Sequence, residues 1–197
     1  MTIVHDNLDE ENWDIRETFA FFGRATYMAS VLEVGLAHVL MHGQFMKQVR
    51  DEYIATKGKN FDRKAYESSF DKFMEEQFAQ TMGNLIKRIN AFANFDDALK
   101  ARLVDAKKRR DFLAHHFWRE KSVEFFTAEG RSKMRDELMM DAEQFGQLDR
   151  DIDAAAKTMR QRLGIDDRVI DEYNERQMAR LKAGLPWDDE PPNARGA

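Results

Sequence analysis

The side chains best suited to chemistry lie in residues 100–121. Eight Lys or Arg (100, 102, 107, 108, 109, 110, 119 and 121) stand there with three acids, Asp105, Asp111 and Glu120. The local balance is +5 in a chain of net charge −5. His115 and His116, two of the five histidines, close the stretch. Positive charge on one element is the footprint of a phosphate-bearing ligand; the alternative is a solvated basic helix face. At about 100° per residue, Asp111 and His115 fall about 40° apart as an i,i+4 pair, so the carboxylate can hold the imidazole. Arg109 and His116 share nearly one line, two turns apart. Arg110 and His115 are about 140° apart on an ideal helix. They meet only through the reach of Arg, a local bend or a second subunit. A histidine with a pKa of about 6.5 serves as base or acid at neutral pH. An arginine stabilises the extra charge of a phosphoryl transition state. These groups suffice, with no metal or cofactor, for RNA cleavage in which the ribose 2′-hydroxyl attacks its own phosphate.

Other constellations are weaker. His38 and His42 have metal-ligand spacing, but neither His-Glu-x-x-His nor Glu-x-x-His occurs, so both read as histidines at the edge of the core. Glu33 stands in an apolar stretch, either as a buried partner for Arg110 or a histidine, or as a surface charge. Tyr27 reads as core. Lys87 and Arg88 extend a basic surface or are a solvated pair. Trp118, just past the histidines, stacks on a base or packs beneath them. Cysteine is absent, which excludes disulfides, thiol nucleophiles and thiolate metal sites, and fits a reducing, cytoplasmic setting. No Gly-rich phosphate loop or nucleophile elbow is found.

The elements that must position these groups are helices. All three prolines fall at Pro186, Pro191 and Pro192, and a Pro-free run of that length argues against a turn-rich β fold. Residues 12–53 read as one long helix with Phe19, Phe22, Thr26, Ala29, Leu32, Leu36, Val39 and Leu40 inward, capped by Asn12 or Asp14. Gly23, Gly35 and Gly43 inside it mark close helix approach or tolerated weak spots. A loop over residues 57–60 precedes a second helical stretch from near Asp62 to near Asn94. Asp96 caps a third helix, with Leu99, Leu103, Val104 and Ala106 inward. Residues 122–130 are irregular. A fourth long helix over 132–163 carries Met134, Leu138, Phe145, Leu148, Ile152, Ala155, Met159 and Leu163, a stripe for a bundle or a dimer seam. Gly164 ends it, and Asp166 caps a last helix that fades before Gly184. The expectation is one all-α domain over 1–184, a bundle of four to five helices, and an acidic, Pro-rich disordered tail over 185–197. The polar opening predicts no signal peptide, and no apolar run is long enough to span a bilayer.

Arg110-Asp111-Phe112-Leu113-Ala114-His115 resembles the signature of HEPN domains: Arg, a polar residue, three further residues, His. The context is similar too. Phe22-Gly23-Arg24 leads to Leu32-Glu33 on a long first helix, followed by Thr81-Met82-Gly83-Asn84-Leu85-Ile86-Lys87-Arg88 and then the motif with His116-Phe117-Trp118. Over residues 14–163 this resembles uncharacterised bacterial HEPN-like proteins. The resemblance implies a dimerising helical bundle, often a metal-independent endoribonuclease of toxin or antiphage systems, elsewhere a non-catalytic binding module. It implies Arg110 and His115 as the catalytic pair in a cleft between protomers, Asp111 orienting them, and an antitoxin or defence-system partner. In HEPN toxins paired with a nucleotidyltransferase antitoxin, a Tyr stands two residues past the motif His. Here that residue is Phe117, which removes the modification target.

The leading expectation is therefore a homodimeric nuclease. His115 moves protons, Arg110 binds the scissile phosphate, and Lys108, Arg109, His116 and Trp118 hold RNA. A binding module for nucleotide, RNA or protein would instead show an inaccessible His115 or an Arg110 locked in an internal ion pair. A third reading is a purely structural dimer joined along the stripe from Met134 to Leu163.

Overall fold

A computed structural model describes residues 10–57, 61–93 and 95–186, and every regular element among them is helical. Helix α1 (Glu10–Leu40) passes through a π-helical turn (Met41–Met46) into α2 (Lys47–Thr56). Then come α3 (Arg63–Phe78), α4 (Met82–Asn90), α5 (Asp97–His115), the single turns α6 (Phe117–Glu120) and α7 (Ser122–Phe125), the long α8 (Ala128–Arg162) and α9 (Asp167–Lys182). No helix among the described residues is long and apolar enough to cross a membrane.

Local chemistry sets most boundaries. Asp62 caps α3, accepting from the Lys64 and Ala65 amides, and Thr81 caps α4 through the Asn84 amide. Asp96 accepts from the Leu99 amide at 2.7 Å, as its position before the third helix predicts. Thr127 caps α8 and Asp166 caps α9. Gly164 and Gly184, at φ 75° and 73°, follow α8 and α9 in the left-handed region that glycine enters at no steric cost.

Pairings between helices fix their directions. Asp14 meets Arg131 and Arg135 near the starts of α1 and α8, while Gly35 lies against Asp149 and Ile152 further along, so these two helices run parallel. Helix α5 runs antiparallel to α8, because Arg102 pairs with Asp151 and Arg109 with Glu137 and Asp141. The core fills the space between them. Ala25, Ala29, Leu32, Leu36 and Leu40 of α1 pack with Met134, Leu138, Phe145, Leu148, Ile152 and Ala156 of α8. Met82, Leu85, Ile86 and Ile89 of α4 and Leu99, Leu103 and Leu113 of α5 complete it, with Phe117 sealed beneath the motif. Each fully buried Leu or Phe contributes about 1.5–3 kcal/mol.

Several sequence expectations change. There are more helical segments than four or five. The second stretch divides at Ala79–Thr81, where the Thr81 cap starts a new helix. Residues 122–130 hold the single turn α7 and the first residues of α8, which begins at Ala128 rather than 132. Gly130 belongs to the helix: a Cβ there would collide with the Glu124 carbonyl, so glycine admits the preceding turn. Helix α1 begins at Glu10, so neither Asn12 nor Asp14 caps it. Val104 and Tyr27, read as inward, are 45% and 66% exposed. Thr26 is exposed and Phe19 half-exposed, whereas Ala156 rather than Ala155 enters the core. The stripe from Met134 is spent on α1 within the same chain and is not free to join a second copy. The loop residues Gly58–Asn60, the polar opening through Asp9, Asn94 and the tail from Trp187 onward lie outside the described residues.

Candidate functional site

The motif occupies the last turns of α5. His116 breaks the helix there, at φ −126° and ψ −28°, and Phe117 behind it is fully buried. The break follows His115 and leaves Arg110 on regular helix. Arg110 reaches across to α1, where Nη2 donates to the Glu33 carboxylate, while Nη1 donates to Asp111 at 2.9 Å. Glu33 is thus the partner of Arg110. Asp111 does not take up His115. Its other oxygen accepts from Lys107 at 2.5 Å. That bond, joined by the charge of Lys107 and the bond from Arg110, holds the Asp111 carboxyl below its usual range despite burial. His115 is exposed, its side chain makes no hydrogen bond among the described residues, and its ring lies 6.4 Å from that of His116. His116 Nδ1 accepts from Arg119 at 2.7 Å, which leaves any ring proton on Nε2. One chain therefore brings Arg110 and Asp111 together and leaves His115 apart from both.

The residues expected to hold substrate divide in the same way. Arg109 is a structural clamp: its guanidinium takes both oxygens of Asp141, at 2.6 and 2.7 Å, and Glu137 at 2.6 Å, and lies 4.6 Å over the Phe112 ring. Burial opposes this charge, but the bonds and charges of Asp141 and Glu137 outweigh it and raise the Arg109 pKa further. Lys108 is exposed and pairs with Asp105 at 2.8 Å. Trp118 packs among Phe19, Phe22, Phe117 and Phe125, with ring centroids 4.9–5.6 Å apart. Arg88 is drawn inward by Gln44 and Gln77.

The charge of the whole stretch is compensated. Lys100 pairs with Asp97, Arg102 with Asp151, Lys107 with Asp111, Lys108 with Asp105 and Arg119 with Glu120. Arg109 pairs with Glu137 and Asp141, Arg110 with Glu33 and Asp111, and Lys121 with Glu137. Five of these carboxylates (Glu33, Asp97, Glu137, Asp141 and Asp151) come from outside the stretch and match its local excess of five. Sequence reading offered Glu33 as one alternative and missed the other four, three of which belong to α8, far along the chain. One signal was available. Asp141 stands in the register of Met134, Leu138, Phe145 and Leu148, where a lone charge implies a buried partner.

His38 and His42 line a separate cavity of about 710 Å³ between α1, α8 and α9, with Asp149, Asp153, Arg160 and Asp167. Arg160 is 7% exposed and held between Asp153 and Asp167. No group of three or more His, Asp or Glu among the described residues is placed to hold a metal ion. Burial pushes both histidines below their ordinary pKa, with the charge of Arg160 adding to the effect on His42. The folded chain keeps them neutral, while the unfolded chain takes up protons near pH 6.5. Stability is therefore complete above that value and declines as the pH falls below it. Thermal melts from pH 7.5 to 5.5 should show this decline, and it should be shallower in His42→Asn. Parallel curves for the two proteins would remove His42 as its source.

No family model matches the chain, and neither does any curated protein or solved structure.

Proposed function

We propose that this chain is a HEPN-like helical module that acts by binding a protein partner rather than by cutting RNA. The observation that carries the reading is the engagement of Arg110 by Glu33 and Asp111. A phosphate would have to displace two carboxylates from the arginine that the motif offers for its transition state. The compensated charge of residues 100–121 supports the same reading, since counterion-driven RNA affinity needs unpaired cations. The test is RNA cleavage and gel retardation in EDTA at physiological salt. The wild-type chain is expected to give neither cleavage nor tight binding. Products ending in 2′,3′-cyclic phosphate, lost in His115→Ala, would overturn the proposal.

The accessible imidazole of His115 favours a second reading, a nuclease whose arginine is held in reserve. Here Glu33→Gln releases Arg110 from one of its two carboxylates, leaving Asp111, and raises cleavage, and His115→Ala in that background abolishes the gain, a proton-transfer group being worth about 10²–10⁴-fold. A silent Glu33→Gln would remove this reading.

A further inference from the structure

Helices α2 and α3 leave a cavity of about 430 Å³ between them, within the range of about 300–1,000 Å³ that small-molecule sites occupy. Its floor is Phe45 of the π-helical turn, 8% exposed, whose ring meets those of Tyr66, Phe70 and Phe73 at 5.4–5.7 Å. Its walls are Tyr53, Phe61 and Tyr66. The Tyr53 and Phe61 rings stand 6.2 Å apart and almost perpendicular, at 74°, and Phe61 lies 5.8 Å from Tyr66. The two outer rings are not core. Helix α2 buries no side chain, and Tyr53 and Phe61 stay 55% and 54% exposed. Aromatic rings from two helices and the segment before α3 thus converge on a space that the described residues leave unfilled.

Charge indicates what the space takes. Glu52 and Asp62 are the charged side chains among the described residues that line it, and both are acids. Asp62 accepts from the amides of Lys64 and Ala65, and Glu52 accepts from Gln48 at 2.9 Å, so neither charge is answered by a cation among the described residues. Arg63, beside Asp62, is held by Glu67 at 2.7 Å. The negative faces of the rings and the two carboxylates both call for a positive ligand. A hard metal ion fits poorly, since two carboxylates among aromatic rings supply too few oxygens for it. A primary ammonium needs an acceptor for each N–H, which ring faces do not supply. A quaternary ammonium has no N–H to satisfy, and it spreads its charge over methyl groups that bury against rings.

We infer that the cavity between α2 and α3 is a binding site for a quaternary ammonium group, its methyls against Tyr53, Phe61 and Tyr66 and its charge answered by Glu52 and Asp62. The group arrives on a free small molecule or on the side chain of a trimethylated lysine; the chemistry is shared. The inference rests on this cavity alone. A chain that cleaves RNA leaves it standing, and a chain blind to quaternary ammonium leaves the reading of the motif standing.

Calorimetric titration of the full chain with three probes tests it: choline, a short peptide carrying trimethyllysine, and the neutral alcohol in which a tert-butyl group replaces the trimethylammonium of choline. The alcohol keeps the shape and loses the charge. Choline or the peptide is expected to bind, the tighter of the two naming the source, and the alcohol at least about 10-fold more weakly than choline. Phe61→Leu and Tyr53→Leu keep an apolar side chain and remove a ring face, so each should weaken binding about 3- to 30-fold. Glu52→Gln should weaken it about 2- to 5-fold at low salt. Both aromatic positions are more than half exposed, so circular dichroism and melting temperature should change little. No binding of choline or peptide at millimolar concentration, an alcohol that binds as well as choline, or an affinity indifferent to both leucine variants would each overturn the inference.

Discussion

Arg109→Ala is expected to cost about 3–5 kcal/mol of folding stability, because it strands a buried charge. Its partner Asp141 is 5% exposed and takes both of its charged bonds from this one guanidinium. Once Arg109 is gone, that carboxylate has neither water nor a cation. Glu137 suffers less, since Lys121 still holds it at 2.7 Å. In a chain of this size the loss should lower the melting temperature by on the order of 10 °C. Lys108→Ala, one residue away, is the control. Its pair with Asp105 is exposed on both sides, and such pairs are worth about 0–1 kcal/mol. The double variant Arg109→Met with Asp141→Leu should recover most of the loss, since an apolar pair replaces a buried ionic one at little cost. Urea unfolding of the four proteins decides the matter. A stable Arg109→Ala that had lost only ligand binding would return Arg109 to the surface role its basic neighbours suggest.

The second large effect is expected from Asp14→Asn. Asp14 binds Arg131 and Arg135 together, tying the start of α1 to the start of α8, and Arg131 is 4% exposed. An asparagine keeps one acceptor and removes the charge, leaving two guanidinium groups in a protected place. The expected cost is about 3 kcal/mol. The acid limb should change as well. The bond from Arg131 holds the Asp14 carboxyl below its ordinary pKa against the effect of burial, with Arg135 adding to it. A carboxylate depressed in the folded chain stabilises it above about pH 4 and loses that contribution as pH falls through the lower folded value. Wild type should therefore lose stability below about pH 4 more steeply than Asp14→Asn. Denaturant melts at pH 3 and pH 6 read the difference directly. Equal differences at the two pH values would show that Asp14 contributes shape rather than charge.

How much of this was legible in the sequence follows from the range of each interaction. The all-helical character, a helix start near Asp62, the caps at Asp96 and Asp166, and the glycine stops at 164 and 184 could be read directly, because each depends on residues within a turn of one another. The inward face of α8 followed from period alone, save that Ala156 takes the place of Ala155. The face of Tyr27 did not, since α1 is apolar on both sides and period cannot say which side its own chain will cover. The start of α8 was read four residues late because residues 122–130 are irregular in period, whereas Gly130 belongs to the helix and makes room for the Glu124 carbonyl.

The candidate site divides along the same line. Arg110, Asp111, His115 and His116 could be found from type and spacing. Their state could not. Covalent sequence alone fixed the helical content, the local caps and the concentration of cations before His115. Tertiary structure decided that Arg110 faces Glu33, that Asp111 faces Lys107, and that a stretch of +5 is answered by five carboxylates from elsewhere in the fold. Helix period and capping act over a few residues and are written in local order. Charge neutralisation acts through space, between groups that only packing brings within a few ångströms.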